Sequence, residues 1–310
     1  MSHNHEDYHS HGYHHVDLTG RDLFITILLN ILITVSQIIG AFISGSLSLM
    51  SDAMHNLSDV TALIISYIAQ KLSLEKQNEK YTFGYKRAEI MAAFINATTL
   101  IAIAVLLIKE AIERLLIDDG LIIKGGWVIG LALFSIIANG LSVIILHKHA
   151  KDNINIKSAY LHLFSDMLSS IAVLIGGLFM FYLKIYWIDS VLTILIGVYL
   201  LFSSWGIFID SLKILMQFTP KGIDIDKIKT IIEELPEVDN IHHVHVWKLN
   251  DKQIHFEAHV DLCRDMVISK TGSIHMQIGN LLKSKYHIEH ITIQFEYNAC
   301  KDKELIYNKE

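Results

Sequence analysis

The chain has 310 residues, of which 52% are hydrophobic and 19% charged, with a mean hydropathy of +0.38 and a formal net charge of −6. That is more apolar surface than a soluble protein of this length needs, and the acidic balance argues against nucleic-acid binding. Residues 221–310 are rich in Lys, Asp and Glu, whereas 23–219 are mostly Leu, Ile, Ala, Val and Gly, so a membrane part is expected to precede a soluble one.

Residues 1–20 carry six histidines (His3, His5, His9, His11, His14, His15) with no periodic apolar face, and read as a disordered tail. No basic segment followed by an apolar core opens the chain, so no cleaved signal peptide is expected. His5-Glu6-Asp7-Tyr8-His9 spells the letters of a zinc protease, but that chemistry needs a rigid amphipathic helix and a third ligand. A protease is therefore rejected; the tail either captures metal loosely or is simply solvated. Uncharged or nearly uncharged runs follow at Leu23–Ile43, Leu47–Ala69, Ile90–Ile108, Gly125–Leu146, Ile156–Leu183 and Val191–Ile209, each long enough to span a bilayer. Asn30, Asn96 and Asn139 are single amides within them, suited to interhelical packing or to lining a cavity.

The loops set an orientation. Lys71, Lys76, Lys80, Lys86 and Arg87 lie between spans two and three, and Lys148, Lys151 and Lys157 between four and five, while the alternate loops are poor in Lys and Arg. The positive-inside rule then puts both termini in the cytoplasm, which six spans accommodate. His147 and His149, at the cytoplasmic end of span four, carry the same two readings as the tail.

Pro220 closes the last span. Beyond it, Asp224–Glu234 reads as a helix, Asn240–Leu249 and Lys252–Leu262 as strands, Val267–Lys285 as a helix and Ile288–Tyr297 as a strand. A two-residue turn at Asn250-Asp251 is expected between the first two strands. The order αββαβ implies a small open sheet with both helices on one face, ferredoxin-like or metallochaperone-like in layout. The expected organisation is thus a tail (1–20), a six-helix transmembrane bundle (21–215), a cytoplasmic αββαβ domain (216–300) and a short tail (301–310). Cys263 and Cys300 read as reduced thiols.

Two copies of one spacing, His55-x-x-x-Asp59 and His162-x-x-x-Asp166, sit inside spans two and five. An ionisable group at mid-membrane costs roughly 2.5–3.5 kcal/mol on insertion scales, so such groups mark a job or a partner. Positions i and i+4 share a helix face about 6 Å apart along the axis. Spans two and five are antiparallel, so His55 is expected level with Asp166, and Asp59 level with His162. Two imidazoles and two carboxylates suit tetrahedral Zn2+, balance its charge, and bind protons when empty. The competing role is a pair of interhelical hydrogen-bonding couples. Asp52, on the same stripe, reads as either an exit-side partner or a solvated helix-end carboxylate.

No phosphate-cradling Gly-x-x-x-x-Gly-Lys-Ser/Thr loop is present, which favours a secondary transporter over an ATP-driven pump, and the chain is not expected to be an enzyme. A membrane metal sensor that binds without net flux is the alternative from another class; a channel is a third.

Ser46-Leu-Ser-Leu-Met-Ser-Asp-Ala-Met-His-Asn-Leu-Ser-Asp59, Phe83-Gly84-Tyr85-Lys86-Arg87-Ala88-Glu89 and His162-x-x-x-Asp166 resemble the cation diffusion facilitator family. His242-His-Val-His-Val-Trp247 and His290-Ile-Thr-Ile-Gln-Phe-Glu296 resemble its cytoplasmic domain, so the likeness covers residues 20–300. It implies a homodimeric, bacterial inner-membrane antiporter that exports Zn2+ for protons by alternating access, with Cd2+ or Co2+ as further substrates. The His-x-x-x-Asp form in span two resembles the zinc-preferring members. Where some members carry a further Asp/His site after span two, this chain has Asn78, Tyr81 and Tyr85, so no metal is expected in that loop.

In the cytoplasmic domain the expected turn pairs His242 with His259, and alternation puts His242, Val244 and Val246 on one face with His255, Glu257 and His259. Ile254, Phe256, Ala258 and Val260 should meet the helices, as should Ile291, Ile293 and Phe295. His242, His259 and either Gln294 or Glu296 then converge on the open face, where the family binds metal at its dimer interface. His242, His259 and Glu296 are taken as that site, with Gln294 standing where the family has a further His. His243, His245, His275 and His287 read as ordinary histidines ahead of ligands.

Overall fold

The computed structural model describes residues 20–117, 122–147, 154–299 and 303–306. The histidines of the N-terminal tail, His149 and Cys300 lie outside the described residues, as do the side chains of His147 and His162.

Six long helices fill the first two thirds of the chain: α1 (Gly20–Ser44), α2 (Leu47–Ser73), α3 (Ala88–Leu116), α4 (Gly125–His147), α5 (Ile154–Leu178) and α6 (Trp187–Leu215). Four stretches within them, Ala88–Leu116, Gly125–Ile144, Leu163–Leu183 and Trp187–Leu215, are long and apolar enough to cross a membrane, and α1 adds a shorter apolar run at Leu28–Ser44. Helix α2 pays in hydropathy for Asp52, His55, Asn56 and Asp59. These helices are inside-out relative to a soluble protein: Phe42, Leu106, Leu116, Ile144 and Phe202 are exposed while Gln37, Asp52, Ser135, Asp166 and Asp189 are buried. Apolar surface outside and polar groups within suit lipid as the solvent.

The chain forms two compact units. The first joins residues up to Val60 with Ile103–Leu200. In it α4 packs against α1 and α5. Gly45 ends α1 at φ +76°, a left-handed conformation that glycine adopts without steric cost. Past Leu178, α5 widens into one π-helical turn, Phe179–Leu183, before Lys184 stops it. Gly125 starts α4 against that turn; a Cβ there would lie 2.9 Å from the Phe181 backbone nitrogen, so only glycine permits the approach.

The second unit joins Thr61–Ala102 with Leu201–Glu310. Its C-terminal part holds α7 (Ile225–Glu233), β1 (Val238–Lys248), β2 (Ile254–Leu262), α8 (Ile268–Tyr286) and β3 (His290–Glu296). The sheet order is β1-β2-β3, antiparallel between β1 and β2 and parallel between β2 and β3. Asp224 caps α7 by accepting from the Lys227 amide. Ile228 and Ile232 of α7 and Ile274, Ile278 and Leu282 of α8 share one core with Phe256, Ala258 and Val260, and Ile291, Ile293 and Phe295 pack against it. Both helices therefore cover one face of the sheet.

Two details of β1 differ from expectation. Leu249 donates to Gln253, not to Lys252, because the Asn250 carboxamide accepts from the amides of Lys252 and Gln253 and closes a three-residue turn. A β-bulge then lies between His242↔His259 and His245↔Glu257, where His243 and Val244 together oppose Ala258 and His243 takes φ +49°. The inserted residue reverses the alternation: Val244 and Val246 are buried in the core, not on the open face, and His245 and Trp247 take their places opposite Glu257 and His255. The turn and the bulge each shift the register by one residue in opposite senses, so His242 still pairs with His259.

Within the segment read as a C-terminal tail, Lys303–Ile306 lies along the far edge of β1. The amides of His243 and Val244 donate to the carbonyls of Glu304 (3.2 Å) and Leu305 (2.9 Å). Lys303 reaches Asp261 at 2.6 Å and Asp239 at 3.1 Å, and Leu305 packs on the core.

Candidate metal centres

Helices α2 and α5 carry the first site. His55 Nε2 lies 3.5 Å from Asp166 Oδ1, and His55 Nδ1 lies 3.7 Å from Asp59 Oδ2. One donor atom from each of His55, Asp59 and Asp166 falls within 4.8 Å of the others, a spacing that can hold a metal ion. Asp166 is buried, His55 and Asp59 half-buried. His162 lies on α5 one turn before Asp166, its side chain outside the described residues.

Asp52 is not a solvated helix end. It is buried and accepts from Gln37 Nε2 at 2.6 Å, Ser169 Oγ at 2.7 Å and Ser170 Oγ at 3.2 Å. Gln37 in turn accepts from Asn56, Ser170 meets Ser135 at 2.8 Å, and the Asn139 amide reaches Ser135. A hydrogen-bonded polar layer thus crosses α1, α2, α4 and α5 next to the turn that carries His55. At the start of α2, buried Asp189 of α6 accepts from the Ser46 hydroxyl, the Leu47 amide, and the amide and hydroxyl of Ser48. It is an N-cap supplied by another helix. The sequence carries no mark of this role, because Asp189 precedes the apolar run Val191–Ile209 and caps a helix other than its own.

The second group sits on the open face of the C-terminal sheet. His259 Nδ1 lies 2.9 Å from Glu296 Oε1, and His242 Nε2 lies 3.5 Å from Glu296 Oε2. His242 Nδ1 meets Asn240 Oδ1 at 3.1 Å. Gln294 pairs with His259 in the parallel register, but its carboxamide donates to Glu296 at 2.7 Å. Nitrogens of His242, His243 and His259 fall within 4.8 Å of one another. Burial, with His243 and His259 beside it, holds the His242 pKa below the ordinary imidazole value against the pull of Glu296. That keeps a neutral, metal-competent ring near neutral pH.

A transmembrane helical layer with a buried His/Asp cluster, followed by a small histidine-bearing sheet, is matched by two family models. Residues 23–216 match the cation efflux transmembrane domain, and residues 220–298 match the cation efflux protein cytoplasmic domain. The chain belongs to the cation diffusion facilitator family of cation efflux proteins. It is 34% identical over 270 residues to the zinc transporter ZitB of Escherichia coli (strain K12), covering 85% of this chain and 83% of the relative. It is 34% identical over 265 residues to a cadmium, cobalt and zinc/H(+)-K(+) antiporter of Bacillus subtilis (strain 168), covering 85% and 84%. To the metal cation efflux system protein CzcD of Cupriavidus metallidurans it is 30% identical over 291 residues, covering 94% and 91%.

In this cation efflux protein the loop after α2 uses its residues structurally. The Asn78 carboxamide accepts from the amides of Lys80 and Tyr81, and the rings of Tyr81 and Tyr85 lie 5.2 Å apart. Phe83 stands edge-on to buried His255, which also stacks on Trp247 and lies 4.2 Å from the ring of His290. Burial first, then His290 and Arg87, lower the His255 pKa. Cys263 is an exposed free thiol near the Pro236 carbonyl. His245 is exposed.

Proposed function

We propose that this chain exports divalent metal, chiefly Zn2+, from the cytoplasm in exchange for protons, by alternating access around an intramembrane site of His55, Asp59, His162 and Asp166. The observation that carries the reading is the convergence of His55, Asp59 and Asp166 donors within 4.8 Å on two neighbouring helices. The helices run antiparallel in a constant register, Asp52 against Ser169 and His55 against Asp166. Continuing it by one turn brings position 162 opposite Asp59.

Nitrogen and oxygen ligands together suit Zn2+ and also accept Cd2+ and Co2+, the metals that name the relatives. Two carboxylates neutralise the divalent charge, which lowers the cost of holding it away from water. Once the metal leaves, the same groups take up protons, so exchange follows from the ligand set. We place both termini and the C-terminal domain on the cytoplasmic side of the bacterial inner membrane, and read the protein as a homodimer, the state that its cytoplasmic module's family is named for. His242, His259 and Glu296 form a separate cytoplasmic zinc site in this reading.

The test is flux. Proteoliposomes with an imposed pH gradient should accumulate Zn2+ and move protons the opposite way. Zn2+ binding with no net flux would instead identify a membrane sensor.

A further inference from the structure

We infer that His243 is a ligand of the cytoplasmic zinc site, making it a closed set of three imidazoles and one carboxylate. This rests on the reading of His242, His259 and Glu296 as metal-binding.

Plain strand alternation would turn His243 away from His242 and toward the core. The β-bulge removes that constraint: two residues of β1 oppose one of β2, and the left-handed conformation of His243 leaves its ring beside the open-face pair. Ring centroids of His242, His243 and His259 form a triangle of 5.1, 4.7 and 5.5 Å. A non-glycine residue at positive φ carries a conformational cost that persists where surrounding structure enforces it, and often marks function. Here the enforcement is visible, because the bulge amides of His243 and Val244 are tied to the carbonyls of Glu304 and Leu305.

Tetrahedral zinc with bonds of about 2.0–2.1 Å needs ligand atoms roughly 3.3–3.4 Å apart. The contacts of Glu296 with His259 at 2.9 Å and with His242 at 3.5 Å bracket that edge. Asn240 occupies Nδ1 of His242 and so fixes the tautomer that offers Nε2, an outer partner of the kind that tunes metal sites. Nε2 of His242 and Oε2 of Glu296 are buried and face each other at 3.5 Å without a hydrogen bond, a separation that a bridging cation fits. Four protein ligands leave no open position, so the ion is resident and is not passed on. The C-terminal segment that ties the bulge becomes part of the site: zinc on His243 and the docked segment at Glu304–Leu305 stabilise each other.

The experiment uses the full-length chain in detergent with the intramembrane site disabled by D59A and D166A, loaded with one equivalent of Zn2+. X-ray absorption should count three imidazoles per zinc. His243→Asn keeps a side chain that tolerates the left-handed conformation and should lower the count to two. Zinc affinity, read by chelator competition, should fall beyond the roughly 10–100-fold that loss of an outer partner costs. An unchanged count and affinity in His243→Asn, with zinc still bound, overturns the role of His243 and leaves the parent site standing. Failure of the D59A/D166A protein to bind zinc at all overturns both.

Discussion

Ser169 of α5 donates a 2.7 Å hydrogen bond to Asp52 of α2, and three residues away on each helix, in opposite chain directions, His55 meets Asp166. The polar layer therefore sets the register in which His55 and Asp166 face each other. Asp52→Ala leaves the donors of Gln37, Ser169 and Ser170 without their acceptor, at about 1–3 kcal/mol for each group left unsatisfied. Its thermal unfolding in detergent should fall clearly below that of Asp52→Asn, which keeps one acceptor oxygen. Equal melting of the two would show that the layer holds no register.

Asp166→Asn keeps shape and removes the buried carboxylate charge facing His55. Zn2+ uptake into inverted vesicles should drop to the level of membranes lacking the protein, with expression and dimer elution unchanged. Retained zinc-for-proton exchange would remove Asp166 from the transport site.

His55→Asp replaces the borderline imidazole with a hard oxygen ligand and should shift the choice of metal toward Mn2+ relative to Zn2+ and Cd2+. Competitive uptake of the three ions from one mixture measures the shift. An unaltered ratio would argue that His55 is not a ligand.

The folded His255 pKa lies below its unfolded value because of burial, then the neighbouring His290 and Arg87. The unfolded chain therefore binds the extra proton first. Stability from this group is fully present above the ordinary imidazole pKa of about 6.5 and is lost as pH falls from there through the lower folded pKa. Metal-free protein should melt lower at pH 5.5 than at pH 7.5, and His255→Phe, which keeps a ring on Trp247, should flatten that slope. An identical slope in the variant would remove His255 as its source.

Helices α3 to α6 were legible as apolar runs because the loops between them collect the charges, and the C-terminal elements because their turns and alternation are clean. Helix α2 was legible through its His-x-x-x-Asp spacing even though that spacing lowers its hydropathy. The failures are local. A bulge adds one residue with no compositional mark, so Val244 and Val246 were assigned the wrong face, while the pairing of His242 with His259 survived through two cancelling shifts. Asp52 was left open because burial depends on partners from α1 and α5 that one helix's sequence does not name. Asp189 escaped notice because the helix that it caps is not its own.

That same carboxylate has a mechanical meaning. Since α6 supplies the charge that completes the opening turn of α2, the beginnings of these two helices are pinned together like a fulcrum. In the exchange cycle proposed above, a rocking α2 would swing from there, with His55 and Asp59, two and three turns along the lever, sweeping the larger arc.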